Sequence, residues 1–133
     1  MDDRGHEAPS LEQIATMAEQ ALATVPLPFS AHMDNVSFVV EEWPEQETLR
    51  RLGIRSPLGL LGLYRGAPLI GRSVMDVSRF PDRIFLYRQA LIHYANRTGT
   101  DLAALVRHVL VHEIAHHFGY SDADIAAAEQ GRD

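Results

Sequence analysis

The segment from Thr100 to Phe118 (TDLAALVRHVLVHEIAHHF) constrains the fold more than any other part of the chain. Thr100 or Asp101 is a natural N-cap, and the apolar period predicts a helix from Leu102 to Phe118. Gly119 stands just past its end, where glycine adopts a left-handed conformation at no steric cost. On an ideal helix Leu102, Leu105, Val106, Val109 and Leu110 form one stripe, which predicts burial against a core. Two turns further on, the stripe is occupied by His112, Glu113 and His116 instead. An unpaired polar group in a core costs about 1–3 kcal/mol and a charge more, so this end of the helix needs compensation. A bound cation is the economical explanation.

The spacing agrees. His112 and His116 are four residues apart, so their imidazoles project from one face about one turn apart, as two corners of a tetrahedral zinc require. Glu113 lies beside them, placed to reach a metal-bound water without ligating. This is the HExxH arrangement of zinc hydrolases, written HEIAH here. HExxH alone arises by chance in about 2% of chains of this composition, and requiring Gly119 and Asp122 at their positions lowers that to about one in ten thousand. Gly119 lets the chain reverse, so Asp122 returns towards the imidazoles as the expected third ligand. Asp122 would otherwise cap the final helix, a role Ser121 is equally placed to fill; Asp124 and Glu129 are alternative third ligands. His117 points away from the ligand face and is expected to support a ligand or lie exposed. Tyr120 is a candidate oxyanion stabiliser or a packing residue. His108 reads as a partly buried polar residue, while His6, His32 and His93 read as surface residues.

Composition narrows the chemistry further. The chain has no cysteine, so disulfides, thiolate catalysis and Cys-ligated metals are excluded. All twelve basic residues are arginine, which excludes Schiff-base chemistry and a phosphate-binding lysine. The arginines at 50, 51, 65, 72, 79, 83 and 88 are expected to be mostly solvated. A net charge of −6 gives no general attraction to nucleic acid or anionic lipid. No run of eighteen apolar residues and no signal peptide is legible, so a cytoplasmic location is expected.

At 133 residues the chain reads as a loose tail over 1–9 and one domain over 10–133. Ser10 and Gln13 make a capping box for a helix from Leu11 to about Thr24, stopped by Pro26 and Pro28. Val36–Glu41, Leu58–Arg65 and Asp82–Arg88 read as strands, with a turn at Gly66–Ala67–Pro68. Glu41–Arg51 reads as a loop or an irregular turn of helix, Gln89–Arg97 as a short helical piece ended by Gly99, and Asp122–Gln130 as a last helix. The result is one unit: a helix, a small sheet, then a helical C-terminal half.

HEIAHHFGYSD resembles the signature of the bacterial zincin-like metallopeptidases of very short length, the minimal zincins, as do LLGLYRGAPL (Leu60 to Leu69) and PDRIFLYRQ (Pro81 to Gln89). The resemblance runs from about Leu11 to the end. It implies an α+β fold, a small mixed sheet packed against an active-site helix, with zinc on His112, His116 and Asp122 and with Glu113 as general base. It also implies a peptide or protein substrate, lying along an exposed edge formed by Leu58–Arg65 or Asp82–Arg88. The His-x-x-Gly-x-x-Asp extension is similar to that of metzincins, but all four methionines precede the helix, so a methionine turn beneath the metal is missing. Peptide deformylases need a cysteine ligand that this chain lacks. Two further readings remain: a non-catalytic, zinc-stabilised interaction module, and a metal-dependent RNA-processing hydrolase, which the negative charge disfavours.

Overall fold

In the computed structural model, residues 8–32, 36–66 and 82–130 are described. Helix α1 spans Leu11–Leu22, and the Ser10–Gln13 capping box forms, Ser10 N–H donating to Gln13 Oε1 and Gln13 N–H to Ser10 Oγ. Strand β1 is Val36–Glu41, as its β-branched run predicts. Where the sequence suggested a loop or irregular turn, a seven-residue helix α2 forms at Gln46–Leu52, with buried Leu49 and Thr48 anchoring it. The strand expected over Leu58–Arg65 is shorter. Ser56 Oγ accepts from Leu58 N–H and starts a 3-10 turn at Pro57–Gly59, so β2 is only Gly62–Arg65.

Strand β3 is Asp82–Tyr87, and Arg88, placed in that strand by its sequence, instead begins α3, Arg88–Thr98. Helix α4 spans Leu102–His117, with Asp101 Oδ2 accepting from Ala104 N–H as its N-cap, and α5 spans Asp122–Gln130. No helix among the described residues is long and apolar enough to cross a membrane. The expectations for residues 1–7, for the turn at Ala67–Pro68 and for Arg72 and Arg79 fall outside the described residues.

The strands make a mixed sheet in the order β1-β3-β2, with β1 parallel and β2 antiparallel to β3. Because β3 is paired on both sides, Asp82–Arg88 cannot be the open edge; β2 pairs only with β3 among the described residues. Alternation along β3 divides the interior. Ile84 and Leu86 join Ile14 and Ala18 of α1, Leu91 of α3 and Val106, Leu110 and Ile114 of α4 in the main core. Tyr87, with Phe85 packed beside it, faces the other way and forms a second cluster with Leu49, Leu60 and Ala90. The α+β class is as expected from the resemblance.

Helix α4 requires one correction. Its apolar face is buried at Leu105, Val106, Val109 and Leu110, but further on burial passes to Val111, Ile114 and Ala115. His112, Glu113 and His116 do continue the first stripe, yet there that face is only partly covered, and His116 is 49% exposed. The ionisable groups therefore border solvent, where their hydration cost is smaller.

Edge strand β2 runs along α4 in step with it. A Cβ on Gly62 would lie 2.7 Å from Val109 Cγ1 and 3.0 Å from the Phe85 carbonyl oxygen, so only glycine permits this approach. Two strand residues advance about 6.7 Å and four helical residues about 6 Å. Gly62 thus sits over Val109, and Tyr64 reaches Glu113.

Candidate metal centre

Two helices and the hinge between them bring the site together. Helix α4 ends in a Schellman arrangement: Gly119 takes φ +93°, Tyr120 N–H donates to Ala115 C=O at 2.9 Å, and Gly119 N–H to His116 C=O at 3.1 Å. The Tyr120 ring packs edge-on against buried Phe29, with centroids 4.9 Å apart, which holds the reversal against the core. Ser121 then caps α5. Asp124 N–H donates to Ser121 Oγ at 3.1 Å, and Ser121 N–H to Asp124 Oδ2 at 2.9 Å. This reciprocal cap engages Asp124 and frees Asp122 to point back along α4.

Asp122 Oδ1 lies 3.0 Å from His116 Nε2 and 3.9 Å from His112 Nδ1. Among the described residues these three side chains are the group whose donor atoms converge, all within 4.8 Å of one another. Zinc bonds of about 2.0–2.2 Å in a tetrahedron put ligand atoms roughly 3.3–3.6 Å apart. The separations to Asp122 bracket that figure, so the donor set fits zinc with two neutral imidazoles and one carboxylate. Glu129, an alternative ligand in the sequence reading, is instead paired with Arg107 at 3.2 Å.

His112 is the inner imidazole. Burial, reinforced by His108 and His116 and opposed by Asp122 and Glu129, lowers its pKa below the usual histidine value. Neutral imidazole is the form that ligates a metal. His108 is exposed rather than partly buried, and its ring lies 3.9 Å from that of His112. Being one turn earlier on α4, it reaches the ring of His112 and not the donor cluster. His93 is exposed, as expected.

Glu113 is set back from the ligands. Burial raises its carboxyl above the ordinary glutamate value, while the Tyr64 N–H and His116 oppose that shift. Tyr64 N–H donates to Glu113 Oε1 at 3.1 Å. Tyr64 is itself held on three sides. Its hydroxyl donates to Asp82 Oδ2 at 2.8 Å, its ring stacks on His117 with centroids 3.8 Å apart, and Phe118 meets it edge-on. Asp82 is buried, 5% exposed, and a Cβ on Gly66 would overlap its carboxylate. His117 therefore supports Glu113 through Tyr64 and stays outside the donor cluster. Neither Tyr64 nor Asp82 stood out in the sequence, because a backbone donor carries no residue-type signature. Both nevertheless lie in the phrases LLGLYRGAPL and PDRIFLYRQ that carry the family resemblance.

A comparison with curated proteins found none that matches the chain. A family model, that of the zincin-like metallopeptidases, matches residues 33–132. That span takes in β1 through α5 and the whole donor cluster, and the chain belongs to the zincin-like metallopeptidase family.

Proposed function

We propose that the protein hydrolyses peptide bonds with zinc held by His112, His116 and Asp122 and with Glu113 as general base. The observation that carries this reading is the convergence of two imidazoles and one carboxylate beside a separate, partly buried carboxylate. Bound zinc supplies a water acidified to a pKa near 7 and a Lewis-acid partner for a carbonyl oxygen. With zinc bound, Glu113 would accept a proton from the attacking water and pass it to the leaving amine. Its raised pKa brings it closer to the acidity of both proton partners. Tyr64 N–H fixes one carboxylate oxygen and leaves the other to handle the proton.

A peptide lying along β2 would pass beside Glu113, because the same strand already delivers Tyr64 to it. Three protein ligands would leave a bound zinc one position for water or substrate, whereas a purely structural zinc site is closed by four. The base beside an open position favours catalysis over a structural module. The reading is of a protein acting in the cytoplasm on peptides or proteins.

The test is cleavage of a peptide library by the zinc-loaded chain and by Glu113→Gln. The expected result is turnover by the first, and loss of about 10³-fold or more with zinc retained in the second. Equal turnover by Glu113→Gln would remove Glu113 from the mechanism. A zinc-loaded chain that cleaves no peptide would overturn the peptidase reading.

A further inference from the structure

Among the described residues no acidic side chain is more deeply buried than Asp82, and the proposed chemistry makes no use of it. A carboxylate is costly to bury, so its place on the core face of β3 needs a reason. The β2–β3 ladder supplies one. Tyr87 N–H donates to Leu61 C=O at 3.0 Å, so the doubly bonded pairs are Leu61–Tyr87, Leu63–Phe85 and Arg65–Arg83. Tyr64 falls between two of these pairs and turns its N–H away from β3, which is how Glu113 Oε1 comes to accept it. Strand β3 therefore does not hold that N–H directly.

The Tyr64 side chain does the holding. Its hydroxyl runs diagonally across the ladder, past Ile84 opposite it, to Asp82 Oδ2 at 2.8 Å. One further step of the register sets Gly66 opposite Asp82, and a Cβ there would lie 2.2 Å from Asp82 Oδ1. The carboxylate thus occupies the space that a side chain at position 66 would take, and glycine gives it room to reach the diagonal hydroxyl. We infer that Asp82 is a positioning residue for Glu113: by holding the Tyr64 hydroxyl it sets where the Tyr64 N–H stands, and so how the Glu113 carboxylate is oriented. The phenol ring between the two bonds is rigid and stacked on His117, so a shift at the hydroxyl is passed on to the backbone. The effect on turnover rests on the metallopeptidase reading, whereas the link from Asp82 to Glu113 is made without zinc.

The test reads backbone hydrogen exchange by NMR in the metal-free full-length chain, and peptide hydrolysis in the zinc-loaded one, for the parent, Tyr64→Phe, Asp82→Asn and Asp82→Ala. Exchange at residue 64 is compared with exchange at Leu110, fully buried in α4, so that a general loss of stability moves both. The parent should protect the amide of residue 64. Tyr64→Phe keeps the ring on His117 and loses only the hydroxyl, and its residue 64 should exchange about tenfold or more faster relative to Leu110. Asp82→Ala should match it, while Asp82→Asn, which keeps a carbonyl oxygen, should fall between Asp82→Ala and the parent. With zinc, kcat of Tyr64→Phe should drop about tenfold or more at unchanged KM and zinc content, because a misplaced base costs turnover and not binding. An unprotected amide in the parent, equal exchange ratios in parent and Tyr64→Phe, or a loss confined to KM would overturn the assignment. A parent that cleaves no peptide would remove the metallopeptidase reading, and the exchange ratios alone would then decide whether Asp82 orients Glu113.

Discussion

The two halves of α4 use the same helical geometry for opposite ends. From Leu102 to Leu110 its inward face is apolar and closed over by α1 and the sheet; from His112 to His116 that same face is only partly covered and carries ionisable groups. The first half contributes stability through burial and has no chemistry. The second gives up burial on that side and recovers it through Val111, Ile114 and Ala115, which keep the helix anchored while the histidines face outward. A helix anchored by buried residues on an adjacent face can present reactive groups without coming loose.

That contrast predicts a separation of effects. Leu110→Ala, at a fully buried position, should cost about 2–5 kcal/mol in denaturant unfolding, the same with zinc or chelator. His116→Ala should change the metal-free protein by no more than about 0.5 kcal/mol but abolish the stabilisation by zinc, about 2.7 kcal/mol at a hundredfold excess over Kd. If His116→Ala destabilised the metal-free protein as much as Leu110→Ala, the two halves would not differ as described.

Gly62→Ala tests the seam between the halves. The added Cβ meets Val109 and the backbone of Phe85, and the β2 shift should cost about 1–3 kcal/mol. It should also slow peptide hydrolysis, since the displacement carries Tyr64 N–H away from Glu113. A stability loss with kcat unchanged would detach β2 from the proposed chemistry.

Glu113→Gln should change stability in the opposite direction. The folded protein raises the Glu113 pKa, so folding takes up protons at this group and ionisation removes stability as pH rises from 4.5 through the raised value. Glutamine keeps an acceptor for Tyr64 N–H and carries no charge. Near neutral pH the metal-free variant should therefore be more stable than the parent by on the order of 1 kcal/mol, with the gain vanishing below the ordinary glutamate value. Thermal unfolding across pH reads this directly, and a gain that persists at low pH would contradict it.

Much of this was legible in the sequence. Strand β1 and helix α5 fall at their expected bounds, and α4 ends within a residue of them, since alternation, helical period and caps are local signals. His112, His116 and Asp122 were legible for the same reason: an i, i+4 pair, a hinge glycine and a fixed return distance specify geometry within ten residues or so. Other features depend on distant parts of the chain. Whether the His116 side of α4 is buried or open depends on where the sheet stops, which no local period encodes. The Tyr64–Glu113 bond spans 49 positions and uses a backbone donor. The shortening of β2 follows from the cap at Ser56, a small signal beside the apolar run of LGLLGLYR. The second core cluster is completed only where α2 brings Leu49 to it, and α2 lies where a loop was an equal reading.

The most direct measurement is zinc per chain after dialysis, by elemental mass spectrometry, for the parent protein, His112→Ala, His116→Ala and Asp122→Ala. The account predicts one zinc per parent chain at pH 7.5 and release on acidification, as the histidines take up protons. It predicts less than about a tenth of that occupancy in each variant. A parent chain that holds no zinc, or an Asp122→Ala variant that holds it as firmly as the parent, would contradict it.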